Sequence, residues 1–150
     1  MSLSVLAPVA GQVLPLQQVP DQVFAEGIVG PGLAIEPPRG GVLTVCSPVA
    51  GRILKAHPHA FVVLTHEGKG VLVHVGIDTV QLSGAGFTVH IGEGEEVTAG
   101  ADVVSFDPDE IADGGRSPVC PVIALDARPG QVEPVASGEV EAGEALFDWA

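Results

Sequence analysis

Glycine and proline punctuate this chain so regularly that no long regular element fits between them: 20 glycines and 13 prolines are spread over 150 residues. Glycine weakens a helix by backbone entropy, and proline by its missing N–H and its ring. The intervening runs are short and rich in β-branched residues, at 42–45, 61–65, 71–73 and 122–125. Short apolar runs bounded by turn residues read as strands, and many of them in series indicate an all-β sandwich or barrel. One short helix is expected at 108–112, where Asp107 can cap, Pro108 suits the first helical position and Glu110 has capping-box spacing.

The strand pattern repeats itself. Ala7-Pro8-Val9-Ala10-Gly11-Gln12-Val13-Leu14 returns forty residues later as Ser47-Pro48-Val49-Ala50-Gly51-Arg52-Ile53-Leu54, with five identities in eight. Val97-Thr98-Ala99-Gly100 returns as Val140-Glu141-Ala142-Gly143, each followed by an apolar pair. The period is not sustained as a solenoid or propeller requires. It fits a duplicated β-motif folded into one body, and residues 1–150, which contain no linker, read as one domain.

Charge narrows the partners. Nineteen acids against six bases give a formal net charge of −13, which repels nucleic acid and favours basic protein partners. Cys46 and Cys120 lie far apart among apolar neighbours and read as buried free thiols, since no CxxC pattern exists. No apolar run approaches the roughly 20 residues of a membrane span. The opening residues lack the features of a signal peptide, so a cytoplasmic protein without direct membrane insertion is expected.

Of the five histidines, His57, His59 and His74 carry the information. Two apolar runs flank the turn His66-Glu67-Gly68-Lys69, a hairpin signal. His59 lies about as far before that tip as His74 lies after it. Residues equidistant from a hairpin tip face each other or sit one diagonal step apart, within side-chain reach. His66 and His90 read as structural. A facing pair is different, because two charged imidazoles would repel and the arrangement favours neutral rings. Nucleophiles and metal ligands both require a neutral ring.

Around these residues the chain resembles the glucose-type enzyme IIA family of the bacterial phosphoenolpyruvate-dependent sugar phosphotransferase system. The resemblance rests on Val73-His74-Val75-Gly76-Ile77-Asp78-Thr79-Val80, on His59-Ala60-Phe61, and on the opening Leu6-Ala7-Pro8-Val9-Ala10-Gly11. Val19-Pro20-Asp21-Gln22-Val23-Phe24-Ala25 and Gly84-Ala85-Gly86-Phe87 extend it over essentially the whole chain.

It implies an antiparallel β-sandwich of the duplicated hybrid type with one or two short helices. It implies a monomeric phosphotransferase component that needs no cofactor. His74 would accept phosphate from the phosphocarrier HPr and pass it to the IIB domain of a sugar permease, with His59 as its stabilising neighbour. Asp21 and Asp78 would meet arginines on the partners. Phe24, Val29, Phe61, Val80 and Phe87 would form an apolar ring. The family also implies regulated permeases or kinases as further partners, and zinc held by His59 and His74 in some complexes. The chain departs from the family pattern at His57, where a threonine is usual; His57 is therefore expected as an accessory donor.

Three rival readings follow from the residues themselves. His57-Pro58-His59 is an H-x-H pair that His74 could complete into a zinc-binding module or metallohydrolase, although no further H-x-x-x-D element accompanies it. Lys69 in its hairpin tip would suit a lipoyl- or biotin-type carrier, but it lacks the flanking residues, and a solvated turn lysine is the simpler expectation. A purely structural or binding module would fail to accept phosphate from HPr.

Overall fold

Residues 3–150 are described by a computed structural model, and β-strands dominate it. The strands are β1 (Leu3–Leu6), β2 (Gly11–Pro15), β3 (Gly32–Glu36), β4 (Leu43–Cys46), β5 (Gly51–His57), β6 (Ala60–Leu64) and β7 (Gly70–His74). There follow β8 (Phe87–Val89), β9 (Glu96–Val97), β10 (Asp102–Phe106), β11 (Cys120–Ala124), β12 (Val132–Pro134), β13 (Glu139–Val140) and β14 (Ala145–Trp149). Two short helices, α1 (Gln22–Ala25) and α2 (Pro108–Asp113), interrupt them. Asp107 caps α2 by accepting from the Asp109 N–H at 2.9 Å. Glu110 does not complete a capping box; its carboxylate lies against Gly86 instead.

An eight-stranded antiparallel sheet runs β13-β2-β3-β11-β7-β6-β5-β9, and two three-stranded sheets, β1-β14-β12 and β4-β10-β8, pack on it. This is the expected β-sandwich. The main core lies between the layers: Ile35, Phe61, Val63, Val73 and Val122 of the large sheet meet Val5, Val45, Val104, Phe106 and Phe147 of the small ones. Because side chains alternate along a strand, the large sheet also has an outer face. There Leu16, Val19 and Phe24 from the segment after β2 cover Ala34 and Ile123, with Ile77 and Val119, in a second small core.

The sequence echoes become a pseudo-twofold relation. Strands β2 and β5 sit one place in from the two ends of the large sheet, next to β13 and β9. Leu6 N–H donates to the Pro48 carbonyl at 2.9 Å, and Cys46 N–H donates to the Pro8 carbonyl at 2.8 Å. Gly143 and Gly100 donate in the same way to Ala7 and Ser47. Each copy of the motif thus holds the other.

Both cysteines are free and buried, and burial pushes the Cys120 thiol up to about 12. Lys69 is not a free arm: its Nζ lies 5.2 Å from the ring centre of Trp149, a cation–π placement, and donates to the Trp149 carbonyl at 3.4 Å. That gives the lysine a structural occupation at the C-terminal strand and leaves the carrier reading without support.

Candidate functional site

The β6–β7 hairpin pairs Ala60 with His74 and Phe61 with Val73. His59 therefore stands one step beyond the last pair, where its carbonyl accepts from the Val75 N–H at 2.7 Å. The two imidazoles meet on the diagonal, with ring centres 5.4 Å apart and planes at 67°. Of the two placements that hairpin spacing allowed, the structure selects the diagonal.

His57 ends β5 opposite Ala60. One cross-strand row on the outer face thus reads His57, Ala60, His74, with only a methyl group between the two rings. Pro58 and His59 form the connection from β5 to β6, so His57 and His59 do not share a strand face: the chain reverses between them. Their rings stack all the same, 5.6 Å apart at 21°.

A hydrogen bond defines the chemistry of His74. Its Nδ1 lies 2.5 Å from the carbonyl oxygen of Gly76. A carbonyl only accepts, so Nδ1 carries the proton and Nε2 presents its lone pair. Burial holds the His74 pKa below the ordinary 6.5, and the Gly76 bond together with the charges of Asp21 and Asp78 opposes that shift without cancelling it. His59 is also lowered, by burial first and then by the neighbouring rings of His74 and His57. Both rings are therefore biased toward the neutral form.

The surroundings come from two directions. Asp21 caps α1 through the Val23 N–H at 2.9 Å, and α1 brings Phe24 edge-to-face against His74, with ring centres 5.2 Å apart. Val29 packs half-buried on the same small core. After β7, Asp78 adopts a left-handed conformation with φ 61° and opens a 3-10 turn, Thr79–Leu82; Val80 on that turn is 58% exposed. Phe87 is half-buried and stacks on Phe106 with ring centres 6.3 Å apart.

Phe61 is a correction. The resemblance implied a place in the apolar ring, but Phe61 is 1% exposed. Its register opposite Val73 turns it into the main core, on the face of the sheet away from His74, and no partner can touch it there.

The three-histidine zinc site is also not supported. Zinc takes about four donors with lone pairs converging on one point. Among the described residues no group of three or more His, Cys, Asp or Glu side chains is placed to hold a metal ion. The other two histidines lie elsewhere. His66 sits at the far end of the hairpin near Glu96, at 3.4 Å, and His90 bonds Ser105 at 2.7 Å.

Several participants left no mark in the strand pattern. The Gly76 carbonyl is a backbone group, and its partnership with a ring two residues away depends on the turn. Thr79, read from sequence only as part of a motif, is fully buried and donates to the Val75 carbonyl at 2.6 Å. Val23 and Ile28, at 45% and 69% exposure, add apolar surface on and just after α1. A cleft of about 390 Å³ beside the segment after β2 contains none of the histidines. His59 and His74 are both half-buried.

A family model described as phosphoenolpyruvate-dependent sugar phosphotransferase system, EIIA 1, matches residues 3–129. Among solved structures, the chain is similar to the glucose permease IIA from Mycoplasma capricolum. The TM-score is 0.90 and the sequence identity 35%, over 99% of this chain and 96% of that one.

Proposed function

This chain belongs to the EIIA 1 family of the phosphoenolpyruvate-dependent sugar phosphotransferase system, and on that premise we propose that it carries phosphate on His74 from HPr to the IIB domain of a sugar permease. The observation that carries this reading is the ring of His74, pinned through Nδ1 with Nε2 left as a nucleophile.

Phosphoryl transfer needs little beyond an aligned nucleophile and compensation of charge. Nε2 forms a bond to phosphorus as the donor's phosphorus–nitrogen bond breaks. A neutral imidazole that attacks in this way becomes cationic. The charge is met by the Gly76 carbonyl on Nδ1 and by the carboxylates of Asp21 and Asp78, the same groups whose influence on His74 is already felt. His59, beside the acceptor, supplies an N–H to a phosphoryl oxygen. In the second transfer Nε2 leaves phosphorus as a cysteine thiolate of the IIB domain attacks it, and the neutral ring returns.

Phe24, Val29, Val80 and Phe87 form the apolar surround that seats the partners and keeps water from the labile bond, while Asp21 and Asp78 meet their basic side chains. His57, stacked on His59, acts as an accessory to that ring. The reading assigns residues 1–150 to one monomeric, cytoplasmic domain that needs no cofactor, and leaves the unphosphorylated face open to regulated permeases or kinases. No helix of the described residues is long and apolar enough to cross a membrane.

Incubation with phosphoenolpyruvate, enzyme I and HPr should yield an acid-labile, base-stable phosphoprotein, and His74→Ala should yield none. Full phosphate acceptance by His74→Ala sinks the assignment.

A further inference from the structure

Thr79 is one of the few polar side chains buried in this molecule, with no exposed surface at all. Its hydroxyl donates to the Val75 carbonyl at 2.6 Å. The N–H of the same Val75 donates to the His59 carbonyl at 2.7 Å. One residue thus links the turn after β7 to the backbone of the second histidine.

The turn itself needs such ties. Gly76 and Asp78 both have left-handed backbones, with φ 76° and φ 61°, and for aspartate that conformation is costly unless its surroundings impose it. The middle of the turn is anchored by the Ile77 N–H on the Ser117 carbonyl at 2.8 Å. Thr79 anchors its start. Its methyl group also closes the space over Gly76: a Cβ at Gly76 would lie 2.6 Å from Thr79 Cγ2. The threonine therefore touches the glycine by one branch and holds the preceding carbonyl by the other. The Gly76 carbonyl, fixed from both sides, is the acceptor for Nδ1 of His74.

We propose that Thr79 is a positioning residue for phosphoryl transfer: by holding the 75–79 turn it keeps the Gly76 carbonyl on Nδ1 of His74 and so keeps Nε2 free. The proposal rests on the reading of His74 as the phosphate carrier. Removing the hydroxyl leaves the Val75 carbonyl buried without its partner, and the turn relaxes to find another. The imidazole proton is then no longer confined to Nδ1. Molecules with the proton on Nε2 have no lone pair facing the incoming phosphorus.

The test compares the wild-type protein with Thr79→Val, which keeps the shape but loses the hydroxyl, and with Thr79→Ser, which keeps the hydroxyl. Nitrogen-15 NMR of the His74 ring reports the tautomer, and phosphorylated HPr reports the rate of acceptance. The wild type should show one tautomer, protonated at Nδ1. Thr79→Val should show mainly the form protonated at Nε2 and accept phosphate about tenfold more slowly, while Thr79→Ser keeps the wild-type tautomer and rate.

A folded Thr79→Val protein with an unchanged tautomer or an unchanged rate overturns the proposal, as does a wild-type ring protonated at Nε2. If the valine variant does not fold, Thr79→Ala takes its place: loss of the single Nδ1 tautomer supports the role, and its retention refutes it. Failure of the carrier reading itself has a different signature, in which the wild type accepts no phosphate while its ring tautomer still responds to Thr79.

Discussion

The pseudo-twofold halves begin alike, with Leu6 bonded to Pro48 and Cys46 to Pro8, but they diverge after β2 and β5. From β5 the chain reaches β6 through Pro58 and His59 alone, whereas from β2 it reaches β3 only after residues 16–31. The tight turn places His59 beside His74. The long excursion folds across the outer face and delivers Asp21 and Phe24 to the same ring. Duplication built the scaffold, and the candidate site lies where the two copies stop matching. This division follows from the physics, because a symmetric pair of strands cannot surround one imidazole with different groups on each side.

The equivalence of the scaffold can be broken most forcefully at its matched glycines. A Cβ on Gly11 would lie 2.2 Å from the Glu36 carbonyl oxygen, and one on Gly51 would lie 2.3 Å from that of Leu64. Gly11→Ala and Gly51→Ala should each lose about 3 kcal/mol or more, measured by denaturant unfolding. A large cost at one site and none at the other would refute structural equivalence.

The asymmetric part is tested by Phe24→Ala, which removes a buried aromatic and should cost about 3 kcal/mol. It should also raise the His74 pKa back toward the ordinary 6.5, since burial is the main cause of its depression. An NMR titration that leaves His74 unmoved would separate the excursion from the site.

Acid offers a gentler perturbation. With folded-state pKa values below 6.5 for His59 and His74, the unfolded chain binds more protons between the folded and unfolded values. Their contribution to stability is therefore complete above about 6.5 and is lost as the pH falls toward the folded-state values. Phosphate acceptance should persist to lower pH than a free histidine allows. Stability that increases on acidification through this window would contradict the depressed values.

The smallest stability effect is expected at the tight turn. His59→Ala should change stability by no more than about 0.5 kcal/mol and still accept phosphate. Onward transfer to the IIB domain should slow by about tenfold or more. Unimpaired onward transfer would remove the helper role and leave the turn a purely architectural feature.

Much of this was legible beforehand because it depends on local rules. The echo of residues 7–14 in 47–54 marked the duplicated body, the tip at residues 66–69 set the hairpin, and equal spacing from that tip brought His59 and His74 together. Phe61 was not legible. A shift of one residue in strand parity exchanges core for surface, and only the pairing with Val73 showed which face it takes. The stacking of His57 on His59 likewise required a chain reversal at Pro58, which H-x-H spacing on a straight strand does not describe.

An all-β duplicated body, two neighbouring imidazoles and a family resemblance could be read from the residues alone, because periodicity, turn chemistry and motif order are properties of residues near one another in the chain. Which nitrogen of His74 is free became visible in the folded molecule. That choice depends on the Gly76 carbonyl, which the turn after β7 brings to Nδ1, and the ring's burial depends in part on Phe24, from a segment fifty residues earlier. Hydrogen-bond direction and burial belong to positions in space, and no linear pattern encodes them.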